Sequence, residues 1–409
     1  MTAAANPPGA IRVAARGLVA LSAAAIALVL LWRILDRGVS VMDETTASPK
    51  TKISAAASAP DGSQQRARLA ANPADYMALL GIALQAEREG DRKRALDAAS
   101  EAFRLAPADP RILANVGALL LRAGNEEPAL RILRQLAELH PNEGAKVWPV
   151  MIRAMDSGRY GEFFATAARD DPSWWASFFG EACQKAALPG LQSAFAGRVS
   201  AGRITDNERR CLIGRLQREA KWPAAYQVWL NSLPKDQQQR VGFIFNGEFE
   251  YPLSNLGFDW LNANQDGVAI TTETTEGTNG RRALHLTFVN KRFTGSPLQE
   301  YLLLSPGRYR FEGRGRPEGL NSWLGVQWGL YCHDANSSGT RQLAASDSFL
   351  GSSDWTDFHQ DFVVSRDCPV QVLRLELANP RRDAKSGGSV AIRLRGSVWF
   401  DDLKVKILD

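Results

Sequence analysis

At Pro234 the hydrophobic period of the chain changes, and that change divides it into a helical part and a β part. From about Gln64 to Leu233, Ala, Leu, Arg and Glu recur with the period of a helix. After Pro234, Gly becomes frequent and short runs alternate between apolar and polar residues. Leu284, Leu286 and Phe288 alternate with His285 and Thr287. Tyr309 and Phe311 alternate with Arg308, Arg310 and Glu312. Leu324, Val326, Trp328, Leu330 and Cys332 alternate with Trp323, Gln327 and Tyr331, and Leu373, Leu375 and Leu377 with Arg374 and Glu376. Period two with one apolar face is the pattern of a strand packed on one side. Turn clusters such as Ser305-Pro306-Gly307 and Asn336-Ser337-Ser338-Gly339 separate the runs. The pattern predicts an all-β antiparallel sandwich over 241–409, behind an all-α domain over 63–234.

The N-terminus predicts a further element. Gly17 to Trp32 carries no charge and is flanked by Arg16 and Arg33. As a helix this run spans roughly 24 Å. Apolar flanks over 13–35 extend it toward the roughly 30 Å of a bilayer core. The expectation is a single transmembrane helix at 13–35, a short tail over 1–12 and a flexible Ser/Ala/Thr/Pro linker over 36–62.

Composition excludes several functions. A formal charge of +5 over 409 residues is too small for a nucleic-acid binder. Four His and four Cys without CxxC spacing argue against a His-rich metal enzyme or a zinc ribbon. Within-domain pairing predicts disulfides Cys183–Cys211 and Cys332–Cys368. Such bonds need an oxidising compartment, which places the bulk of the chain in a periplasm behind an inner-membrane anchor. Free thiols are the alternative.

The helical part repeats. Gly81, Ala95 and Pro107 recur as Gly117, Ala129 and Pro141. Small residues let paired helices approach, and the proline ends the second helix. This spacing resembles the tetratricopeptide repeat from about Pro73 to Asn142, and more weakly to 234. The resemblance implies a surface for a protein partner. Trp174, Trp175, Phe178 and Phe179 are expected in the core of one helix.

The β part is marked by FNGEFE at Phe245–Glu250 and GFDW at Gly257–Trp260. LSPGRYRFEGRGR follows from Leu304, SDWTDFHQDFVV from Ser353 and VWFDDLKV from Val398. These resemble the jelly-roll carbohydrate-binding modules of the galactose-binding-like superfamily over about Val241–Asp409. Sugars need aromatic platforms and planar polar groups. The polar face of the runs offers Trp323, Gln327, Tyr331, His285, Arg310, Glu312, Arg374 and Glu376, or else a solvated face of cross-strand charge pairs. Trp328 and Trp355 read as core. The resemblance also implies a structural Ca²⁺ between the first and last strands, held by Glu248, Glu250, Asp401 and Asp402. The plainer reading is that these acids cap strand ends.

No GxSxG, Walker, HExxH or GxGxxG motif occurs, so no catalysis and no cofactor beyond that calcium is expected. The sequence thus predicts a membrane-anchored, non-enzymatic envelope protein. It binds or guides a polysaccharide through the sandwich and a protein partner through the repeats. A purely protein-binding scaffold is the alternative, and a glycan hydrolase the third. Residues 241–409 hold 18 basic and 20 acidic side chains, which disfavours a strongly anionic polymer.

Overall fold

The computed structural model describes residues 62–278, 280–293, 295–333, 341–378 and 392–408. The predicted tail, the span 13–35 and the linker up to residue 61 lie outside them, as does the turn Asn336–Gly339. Among the described residues no helix is long and apolar enough to cross a membrane. Their longest α-helices have 14 residues, a rise of about 21 Å against the roughly 30 Å of a bilayer core. The expected single-pass inner-membrane protein with a periplasmic body is corrected on that finding.

The chain forms two compact units, Met1–Gly190 and Leu191–Asp409. The first is helical: α1 (Gly62–Ala71), α2 (Tyr76–Arg88), α3 (Arg92–Leu105), α4 (Pro110–Arg122), α5 (Glu126–Leu139), α6 (Pro141–Gly144), α7 (Trp148–Asp156), α8 (Gly161–Asp170) and α9 (Trp175–Lys185). Asp75, Asp91 and Asp109 start three of these helices. Each side chain accepts from a backbone N–H of the first turn, which satisfies a donor the helix leaves free. A Cβ on Gly117 would lie 2.7 Å from Cδ2 of Leu133, so only glycine there lets α4 and α5 approach. Ala95 and Ala129 are fully buried at the matching places. Trp174, Trp175, Phe178 and Phe179 are all in the core, where Phe178 packs against Trp148 and Phe164.

The unit boundary falls within α10 (Leu188–Ser200). The second unit continues with α11 (Asp206–Arg218), α12 (Trp222–Leu230) and α13 (Lys235–Gln238). Ten strands follow. They are β1 (Leu261–Asn262), β2 (Val268–Thr274), β3 (Arg282–Phe293), β4 (Leu298–Leu302), β5 (Gly307–Asn321), β6 (Val326–Cys332), β7 (Arg341–Ala345), β8 (Thr356–Val364), β9 (Gln371–Leu377) and β10 (Ile392–Ile407). They make two five-stranded antiparallel sheets, ordered β1-β4-β9-β6-β7 and β2-β3-β10-β5-β8. Trp260, Trp328, Phe311, Phe400, Leu284, Leu330, Leu373 and Leu375 fill the space between them.

The first and last motifs meet. The Leu403 N–H donates to the Gly247 carbonyl at 2.9 Å. Asn246 holds the opening turn by accepting from the Tyr251 N–H at 3.0 Å and donating to its carbonyl at 2.9 Å. A disulfide joins Cys332, ending β6, to Cys368, just before β9. Cys183 and Cys211 are also disulfide-bonded, and no described cysteine is free.

Helix α12 belongs with the sandwich, which moves the division away from the expected 234/241. Its Trp222 ring lies 5.0 Å from Tyr301 and 5.3 Å from His333. Tyr226 and Trp229 pack on Phe258 at 5.1 and 5.7 Å, and Trp229 meets Phe245 at 5.2 Å. Each aromatic pair of this kind adds about 0.5–1.5 kcal/mol beyond its area burial. The helix is therefore anchored by the sandwich despite its helical period.

Candidate functional site

Pairing decides which polar residues share a surface. In the first sheet Gln327 faces Glu376, Gly329 faces Arg374, and Tyr331 faces Val372. The alternate residues Trp328, Leu330, Leu373 and Leu375 fill the core, so these side chains stand on the outer face. There they form one cluster around Glu376. The Tyr331 hydroxyl donates to Oε1 of Glu376. Nε of Arg374 donates to Oε2 at 2.8 Å, and Nε2 of Gln327 lies 3.4 Å from Oε1. The Arg374 guanidinium caps the Tyr331 ring, 3.9 Å from its centroid. Burial first, then the bond to Glu376, pushes the Tyr331 hydroxyl up to about 12. Sequence reasoning overlooked Gly329. Its Cβ would lie 2.5 Å from the Tyr331 ring and 2.6 Å from Oε1 of Glu376, so glycine makes the room for this cluster. A glycine inside a strand was the available signal.

Trp323 is corrected from strand to loop, since β6 begins at Val326. Gly325 before it takes φ +72°, which breaks the strand alternation. Trp323 is 84% exposed. Eight other described tryptophans are buried. Its loop is tightly held. Oγ of Ser322 accepts from the N–H groups of Leu324 and Gly325 at 3.1 and 2.8 Å. Oγ of Ser348 donates to the Leu324 carbonyl at 2.7 Å. Leu320 and Gly351 exchange backbone bonds of 2.8 and 2.7 Å.

His285, Arg310 and Glu312 stand on the other sheet, so the expected single face is corrected to two. Parity along a strand says which side is polar, not which sheet the strand joins. Arg310 pairs with Asp361 at 2.6 and 3.0 Å, and holds that carboxyl below the usual range. Glu312 pairs with Lys406 at 2.5 Å and Lys404 at 3.5 Å. His285 stacks flat on Trp399 at 3.8 Å, with Glu273 at 3.5 Å from its Nδ1. Trp355, expected in the core, is half-buried on this second face. Arg314 and Arg316 lie over its ring at 5.4 and 5.1 Å. Its Nε1–H donates to the Glu276 carbonyl at 3.0 Å, and Nη1 of Arg314 to the Gly277 carbonyl at 2.8 Å. This face ties down the loop between β2 and β3.

The proposed calcium ligands are not brought together. Glu250 accepts from the N–H groups of Arg281 and Arg282 at 2.6 and 3.0 Å. Asp402 pairs with Lys404 at 2.9 Å, and Oδ1 of Asp401 accepts from the Asp402 N–H at 2.8 Å. Glu248 is exposed. Among the described residues no group of three or more His, Cys, Asp or Glu is placed to hold a metal. These residues do not fit a calcium cage.

No protein-family model matches the chain, and no curated protein matches it. Solved structures similar to it include a CBM4 module, at 16% identity and a TM-score of 0.29, covering 40% of this chain and 99% of that one. Another is the CBM22-1 xylan-binding domain of Xyn10C from Paenibacillus barcinonensis, at 14% identity and 0.28, covering 40% and 92%. A third is TmCBM61 in complex with beta-1,4-galactotriose, at 14% identity and 0.27, covering 41% and 99%. At these TM-scores the likeness says nothing of what this chain binds.

Proposed function

We propose that the sandwich binds a neutral glycan, without chemistry, on the outer face of the first sheet. The observation that carries this reading is Trp323, a bare indole on a loop held by hydrogen bonds on both sides. An apolar ring fixed in water is suited to the apolar face of a sugar, and its loop loses little entropy on binding. On β9, the partly exposed Arg374 guanidinium is a donor to hydroxyl groups, while Gln327 on β6 is buried beside Glu376. Tyr331 positions Arg374 rather than stacking on sugar, because the guanidinium already covers its ring.

Binding fits this face better than hydrolysis. Glycoside hydrolysis uses two carboxyl groups. Glu376 is the one carboxylate among the described outer-face residues of this sheet's strands, and Tyr331, Arg374 and Gln327 occupy it. In the same reading the helical part, whose sequence resembles tetratricopeptide repeats from about Pro73 to Asn142, docks a protein partner.

The test is calorimetry of the full chain against a panel of neutral polysaccharides, with Trp323→Ala beside it. The expected result is binding that Trp323→Ala weakens at least tenfold, about 1.4 kcal/mol, at an unchanged thermal midpoint. Binding that the substitution leaves intact would remove the site from this face. A wild-type chain that takes no glycan would end the reading.

A further inference from the structure

Two buried carboxyl groups lie where α12 meets the sandwich. Glu300 on β4 and Asp259, just before β1, are each 1% exposed. Both oxygens of Asp259 have donors: Oδ2 accepts from the Ser254 N–H and Oδ1 from the Trp260 N–H, each at 2.7 Å. Glu300 is less well served. Its Oε1 accepts from the Phe245 N–H at 2.8 Å, and its Oε2 has no hydrogen-bond partner among the described residues. No basic side chain among them offsets either acid. From α12 the titratable group facing Glu300 is Tyr226, whose hydroxyl is raised by burial first and then by the Glu300 charge.

The neighbours of these acids also hold α12 down. Phe245, whose N–H Glu300 binds, meets Trp229 of α12 at 5.2 Å. Phe258, next to Asp259, meets Trp222, Tyr226 and Trp229 at 6.4, 5.1 and 5.7 Å. A Cβ on Gly257 would lie 2.6 Å from the Trp229 indole, so glycine there seats the ring. Helix α12 has nine residues and rests on these rings. Strand β4, by contrast, is hydrogen-bonded to a strand on each side. A neutral Glu300 carboxyl with one donor is tolerable in this place. An ionised one, with one donor and a second acid nearby, has to reach water. The cover that yields is the one held by rings alone.

We infer that α12 is a pH-operated latch on the sandwich: with Glu300 protonated it lies closed on Phe245 and Phe258, and ionisation of Glu300 opens it. Burial holds the Glu300 carboxyl well above the usual carboxylate range. The Phe245 bond opposes that shift, and Asp259 adds to it. The latch is therefore closed below the ordinary carboxylate range and opens as pH rises through the raised value. Opening frees Trp222, Tyr226 and Trp229 as an aromatic helix face and uncovers Tyr301.

The experiment is amide hydrogen exchange of the full chain across a pH series from about 5 to about 9, read as protection factors so that the intrinsic exchange rate cancels. The expected result is that protection of the Tyr226–Leu230 amides falls by roughly tenfold or more as pH rises, while β5 and β10 stay protected. In Glu300→Gln the helix should stay protected throughout. In Asp259→Asn the fall should move to lower pH, because the neighbouring charge no longer resists ionisation. Protection of α12 that does not change with pH would overturn the latch, and so would a fall that persists in Glu300→Gln. A fall shared equally by β5 and β10 would also overturn it, since the whole sandwich would then be opening.

Discussion

The two outer faces of the sandwich carry similar residue types and use them differently. On the second sheet Trp355 lies under Arg314 and Arg316, its indole N–H spent on the Glu276 carbonyl. Arg310 and Glu312 also have partners across the strands. This is how a sheet face lives in water. On the first sheet the polar groups are equally well paired, yet Trp323, in the loop before β6, touches solvent over most of its surface. Composition does not separate the faces. What separates them is whether the aromatic ring is used by the protein itself.

Substitutions can break or sharpen that contrast. The largest effect is expected from Cys332→Ala with Cys368→Ala. This bond closes a 36-residue separation on the first sheet, and its loss should cost about 3–4 kcal/mol in denaturant unfolding. A cost below about 1 kcal/mol would mean the first face owes its order to packing alone. Next is Trp355→Ala. It should cost about 2 kcal/mol, speed proteolysis in the loop Thr275–Arg281, and leave glycan affinity unchanged. A loss of affinity would make the second face a binding surface as well.

The smallest effect is expected from Glu300→Gln, beneath the first sheet. Glu300 points into the core, accepts from the Phe245 N–H at 2.8 Å through Oε1, and has no hydrogen-bond partner for Oε2 among the described residues. Burial raises its carboxyl well above the usual range. The Phe245 bond opposes that shift, and the nearby Asp259 adds to it. A folded pKa above the unfolded one means full stability below the ordinary carboxylate range. That stability is lost as pH rises through the raised value. Glu300→Gln should therefore raise the midpoint at pH 8 by roughly 2–4 °C, about 1 kcal/mol, and change little at pH 4. An equal shift at both pH values would show that Glu300 is not the titrating group.

The division into helices and strands was legible in the sequence because the two periods differ. Gln327, Tyr331, Arg374 and Glu376 were also legible, as polar residues opposite core positions. Their separation from His285, Arg310 and Glu312 was not. The order β4-β9-β6 pairs strands distant in the chain, and alternation is silent about such partners. Trp323 was misread because the alternation was carried past Gly325. Trp355 could have been read correctly, since it shares parity with Asp357, His359 and Asp361 rather than with Phe358 and Phe362. The calcium expectation found the right meeting point, Gly247 on Leu403. It failed because backbone N–H groups and a lysine already occupy the acids.

The attachment of α12 has a practical consequence. An engineer who grafts this sandwich onto another protein, cutting where the helical period stops, would strip the indole of Trp222 from Tyr301 and His333 and leave a greasy scar on the transplant. A graft has to keep α12 with the strands, so that the indole stays on the rings it covers.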